Sequence, residues 1–120
     1  MADAASRKDM GQRWIDAWNS HDLGRVLTLY DDGAEMSSAH IIRLGFSADG
    51  KLRGKEHLRT YWSRALSMLP DLHFELLDVS TAPDSIIVRY RNERGDTMSE
   101  YLRFNEAGKI VQGSANHVIG

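Results

Sequence analysis

Pro70 divides this chain between two periodicities. Ahead of it, Leu58, Tyr61, Trp62, Ala65, Leu66 and Leu69 recur at helical spacing, which predicts one buried helix face over Lys55–Leu69. Proline disfavours helical geometry in the residue before it, so that helix stops there. Behind it the apolar residues alternate. Leu72–Ser80, Ser85–Asn92, Thr97–Asn105 and Lys109–Val118 read as strands, with turns at Asn92-Glu93-Arg94-Gly95-Asp96 and Glu106-Ala107-Gly108. Helices first and antiparallel strands afterwards predict the α+β class.

The beginning of the chain follows the same logic. Met10, Trp14, Ala17 and Trp18 fall on one helical face, and Asn19-Ser20-His21-Asp22 stops that helix. Asp22 can cap the next one, whose stripe is Leu23, Val26, Leu27 and Tyr30. Gly33–Ile42 reads as a short strand, with Met36, Ser38 and His40 on one face. Arg43–Arg53 reads as a loop, or as a hairpin turning at Asp49-Gly50.

A length of 120 residues predicts one domain, residues 1–120, with a core large enough to stand without staples. The absence of cysteine excludes disulfides and thiolate metal sites. Fifteen basic and 17 acidic residues are interspersed and leave a net charge of −2, with no basic face for nucleic acid. Arg89, Arg91 and Arg94 lie among Glu93 and Asp96 and read as a solvated strand face and turn. No stretch has the apolar length of a signal peptide or a membrane span, so a cytoplasmic protein with no membrane partner is expected.

One residue conflicts with this pattern. Thr97–Asn105 places Met98, Glu100, Leu102 and Phe104 on a single face. An ionised carboxylate is costly to bury, so Glu100 must be paired (with Arg13, for instance), protonated, or at a wet cavity. Proton transfer needs a group titrating near neutrality, which adds His40 and His117 to Glu100 as catalytic candidates. The same three residues could form a two-histidine, one-carboxylate metal set, but no short ligand spacing supports it, and no metal is expected. His21, His57 and His73 read as exposed. The aromatic residues are most simply core. Three tryptophans in so small a chain, Trp14, Trp18 and Trp62, nevertheless suit apolar walls around a few polar groups, the makings of a small-molecule pocket. No phosphate loop or nucleophile elbow is present, so no cofactor is expected.

The segment from Gln12-Arg13-Trp14 through Met36, the block Gly54–Trp62 and the segment Glu100-Tyr101-Leu102-Arg103-Phe104-Asn105-Glu106-Ala107-Gly108-Lys109-Ile110-Val111 together resemble the NTF2-like (nuclear transport factor 2-like) superfamily. Its SnoaL-like polyketide cyclases and its ketosteroid isomerase-like members are the nearest in pattern. The resemblance implies a cone of three N-terminal helices packed on a curved, mostly antiparallel sheet, the cystatin-like α+β arrangement, around a deep pocket. It turns Gly113, Ala115 and His117 toward that pocket. It also implies a pocket wall drawn from Trp14, Trp18, Ser38, Tyr61, Trp62, Met98 and Leu102, and a homodimer through the outer sheet face, where Tyr101, Val111 or Ile87 would lie. The isomerase's own machinery does not carry over. Its oxyanion tyrosine falls on Trp14, its supporting tyrosine on Trp62 and its general base on Ser38, and only its buried acid has a counterpart, Glu100. Steroid isomerisation is therefore not expected. The expectation is a domain that binds a hydrophobic or cyclic small molecule, with cofactor-free acid/base chemistry of the isomerase, dehydratase, cyclase or epoxide-hydrolase kind. The alternative is a non-catalytic binding or assembly domain of the same fold.

Overall fold

A computed structural model describes residues 4–119. Helices α1 (Ala4–Asn19), α2 (Leu23–Leu27), α3 (Ala39–Arg43) and α4 (Lys55–Met68) accompany strands β1 (Tyr30–Ser37), β2 (Lys51–Arg53), β3 (Glu75–Thr81), β4 (Ser85–Arg91), β5 (Thr97–Phe104) and β6 (Ile110–His117). The strands form one sheet in the order β2-β1-β6-β5-β4-β3. Its pairings are antiparallel except β1 with β6, which is parallel. The expected α+β class is the one observed, and the four strands after Pro70 lie within a residue or a few of their expected ends.

Local chemistry explains how the helices sit. Gly11 lets α1 approach the sheet closely, because a Cβ there would stand 2.8 Å from Val79 Cγ2. Asn19 ends α1 and ties it to the start of β3: its Nδ2 donates to Phe74 O (2.9 Å) and its Oδ1 accepts from Phe74 N–H (2.7 Å). Asp22 Oδ1 accepts from Arg25 N–H (3.2 Å), the cap expected for α2. On α4, Leu58, Tyr61 and Trp62 are buried against β1 and α2.

Three expectations are corrected. Gly33–Ile42 is not one strand: β1 ends at Ser37, and Ser38 caps α3. Ser38 Oγ accepts from His40 N–H (3.1 Å) as the helix cap, while Ser38 N–H donates to Gly50 O (2.9 Å). Ser38 and His40 are therefore not strand neighbours on one face. Nor does a hairpin turn at Asp49-Gly50 onto the residues just before it. Gly50 adopts a left-handed φ of 75°, and β2 then pairs with β1 (Ser37 opposite Lys51) across the whole intervening excursion. Tyr30, counted with the second helical stripe, instead opens β1.

The inner sheet face carries Ile86, Val88 and Tyr90 of β4 and Met98, Glu100 and Leu102 of β5, in register with Gly113, Ala115 and His117 of β6. The outer face carries Arg89 and Arg91, which pair with Asp78 and Glu75 of β3, while Arg94 pairs with Asp96 in the turn, as a solvated surface should.

Candidate functional site

Between α1, α3, α4 and the inner sheet face lies a cavity of about 150 Å³. All three tryptophans border it. Trp18 meets Trp62 edge to face, with ring centroids 5.2 Å apart and planes at 86°, and Phe74 stacks on Trp14 at 5.8 Å. Such contacts hold wide rings in fixed orientations, so the wall is preformed. Trp14 Nε1–H donates to Tyr30 Oη (3.0 Å), whereas Trp18 Nε1 has no partner among the described residues.

Glu100 forms part of this wall and is only 2 % exposed. Its backbone position is set by the ladder, with Val88 on one side and Ala115 on the other. None of the ion pairs among the described residues involves it, so the expected alternative of a bridge to Arg13 is not realised. Burial disfavours its ionised form and pushes its pKa well above the ordinary carboxylate range; the Tyr90 hydroxyl, donating to it, pulls weakly the other way. Its Oε2 is buried with no partner. Tyr30 and Tyr90 also resist ionisation, first through their own burial and then through the nearby Glu100. Burial thus favours the protonated form of this carboxyl beside the Tyr30 and Tyr90 hydroxyls, a form able to donate a hydrogen bond into an apolar space.

The mouth is polar. His40 and Arg43 reach it from α3, His117 from the end of β6, and Glu93 and Arg94 from the β4–β5 turn. Arg43 Nη2 lies 2.8 Å from His40 Nδ1. A guanidinium only donates, so Nδ1 is the acceptor and the His40 proton sits on Nε2. Partial burial, then the charges of Arg43 and Arg94, hold the His40 pKa below its usual value. His40 is thus a neutral donor. His117 stands opposite Met98 while Glu100 stands opposite Ala115, making imidazole and carboxyl diagonal neighbours with Cβ atoms ~7 Å apart.

The structure brings together around this cavity Glu100, His40 and His117, and with them Trp14, Trp18, Ser38, Tyr61, Trp62 and Met98. Leu102 is the exception. It is fully buried between Ile86 and Gly113, lower on the same face, where a Cβ on Gly113 would press within 3.3 Å of its Cδ2. Among the described residues, His40, His117 and Glu100 form no metal-binding cluster, and no helix is long and apolar enough to cross a membrane. Sequence reasoning missed Tyr30, Tyr90, Arg43 and Arg94. The inward alternation of Tyr90 with Ile86 and Val88 was a usable signal, since a buried tyrosine needs a partner for its hydroxyl. Nothing local pointed to Arg94.

Comparison with known proteins agrees with this fold. A search of curated proteins finds no match to this chain. A structure of a SnoaL-like protein of unknown function from Burkholderia thailandensis is 38% identical, covers 98% of each chain and superposes with a TM-score of 0.91. At lower identity the fold alone is shared. A proposed SnoaL-like isomerase from Agrobacterium tumefaciens is 13% identical (96% of this chain, 99% of that one, TM-score 0.76). IdmH, a proposed polyketide cyclase from Streptomyces antibioticus, is 20% identical (91% and 89%, TM-score 0.74). The family model of the SnoaL-like domain matches residues 12–113. With most of its length matched by that model, this chain belongs to the SnoaL-like family.

Proposed function

We propose that this protein takes a small hydrophobic or cyclic molecule into the cavity and moves a proton on it without a cofactor. Glu100 is the buried acid and His117 the base. The observation that carries this reading is Glu100 itself, a carboxyl with an unpartnered oxygen on the wall of an apolar chamber. Such a conflict with the surrounding pattern tends to mark a site. His117 removes a proton from a carbon next to a ligand carbonyl, and the Glu100 O–H donates to the carbonyl oxygen as negative charge gathers there. Returning the proton elsewhere gives isomerisation, and attack by the carbanion on a second carbonyl gives cyclisation. An engineered protein cavity of about 150 Å³ holds benzene, so a single ring fits this chamber and a steroid does not. The isomerase and cyclase assignments of proteins with this fold lend support.

The alternative, a binding domain without catalysis, is favoured by one observation: Arg43 occupies the lone pair of His40, leaving His117 as the single base near the acid. The two readings separate on α-proton exchange. Small cyclic ketones in D2O should exchange faster with the protein, and Glu100→Gln should lower that rate about 100-fold or more while ketone binding persists. Binding without any exchange would favour the alternative. Absence of both would overturn the chamber reading.

We also propose that two copies pair through the outer sheet face, where Ile87, 41% exposed, stands in register with Tyr101. Light scattering should report a dimer that Ile87→Lys converts to a monomer, and a monomeric parent chain would refute it.

A further inference from the structure

The mouth of the chamber differs in character from its walls. The rings of Trp14, Trp18 and Trp62 offer a ligand almost no charge, whereas two guanidinium groups stand at the opening from two separate elements, Arg43 on α3 and Arg94 in the β4–β5 turn. Glu93 is the one carboxylate among the mouth residues, and its Oε1 accepts from the backbone N–H of His73 (3.4 Å). Arg94 has a loose partner in Asp96 at 3.7 Å, while Arg43 has no carboxylate partner among the described ion pairs and donates to a neutral imidazole. Of the two guanidinium groups at the opening, Arg43 is the one left without a carboxylate partner among the described residues, on a chain whose net charge is −2. Arginine suits planar anions because its fork of donors matches both oxygens of a carboxylate.

We propose that the ligand is a small ring acid, with its ring among the indoles and its carboxylate at the mouth between Arg43 and Arg94. This rests on the chamber being a ligand site, the reading given above, and adds the class of molecule. Burial raises the Glu100 pKa and so disfavours a second negative charge on the inner wall facing such an anion. A cavity of about 150 Å³ suits a ring of about six members.

All three tryptophans of the chain border the cavity, so their emission reports occupancy directly. Cyclohexanecarboxylate and the neutral cyclohexanecarboxamide, both transparent where indole absorbs, form a matched pair of probes. The acid is expected to bind roughly three- to tenfold more tightly than the amide, the range for two partly exposed charge contacts, and its advantage should shrink as salt is raised. Arg43→Gln and Arg94→Gln should each remove part of that advantage and leave the amide unchanged. Equal binding of acid and amide, with both variants silent, would overturn the ring-acid proposal and leave the chamber reading standing. Binding of neither probe, with unaltered emission, would overturn both.

Discussion

Asp78 and Glu100 are carboxyl groups of one sheet, and they occupy opposite states. Asp78 lies on the outer face of β3, opposite Arg89, whose Nε and Nη2 reach its two oxygens at 2.9 and 2.5 Å. Those hydrogen bonds hold its pKa below the ordinary carboxylate range. Glu100 lies on the inner face of β5 with no cation near it, and burial moves its pKa the other way. Facing alone separates the two. The outer face gives a charge water and a partner, and the inner face gives neither. An acid kept neutral is a proton donor, and this is why the inner carboxyl, not the better-bonded outer one, is the candidate for chemistry.

The largest expected difference between the faces is in packing. Leu102→Ala on the inner face should destabilise the fold by about 2–5 kcal/mol, since the site between Ile86 and Gly113 has little freedom to collapse. Ile87→Ala one residue-step away on the outer face of β4 should cost less than about 1 kcal/mol in a monomer. Urea unfolding of both variants checks this, and equal costs would erase the distinction.

Next comes the pH response of Glu100. Its folded pKa is raised, so its contribution to stability is complete below the ordinary carboxylate range and is lost as pH rises toward the raised value. The parent chain should therefore lose up to about 1.4 kcal/mol per pH unit across that window relative to Glu100→Gln, which has no proton to release. Parallel pH–stability curves for the two proteins would contradict the buried-acid assignment.

A third variant removes the contrast. Ala115 faces Glu100 across β5 and β6, so Ala115→Lys supplies the inner carboxyl with the kind of partner Asp78 already has. Titration followed by side-chain carboxyl NMR should then show the Glu100 pKa falling toward its ordinary range, and no change would mean that the new ammonium does not reach it. The smallest effect belongs to Asp78→Asn. Its pair is exposed, so stability near neutral pH should barely move. The sign is opposite to that of Glu100: the Asp78 contribution is present above the ordinary carboxylate range and fades as pH falls through its lowered value. Added salt should diminish it further.

Much of this molecule could be read along the chain because neighbouring residues carry the information. The spacing on α4 and its stop before Pro70, the cap at Asp22, and the alternation that sets Glu100 on an apolar strand face are all products of local periodicity. The short excursion after β1 departs from the expected strand because Ser38 has two uses. Its polar side chain suits a strand face, but here it caps α3, and that choice depends on Gly50, which arrives from outside the local segment to accept its N–H. Local residue patterns therefore set the class of fold, the family resemblance and the burial problem posed by Glu100. Long-range packing sets what surrounds that carboxyl. Tyr30 and Tyr90 approach it, and Trp14 packs on both, through the parallel β1–β6 pairing, the antiparallel β4–β5 register and the close approach of α1 at Gly11. Arg43 and Arg94 meet at the mouth from elements far apart in the chain. Periodicity says which way a side chain faces; sheet register and helix packing decide what it faces, because those contacts form between segments whose separation along the chain carries no local signature.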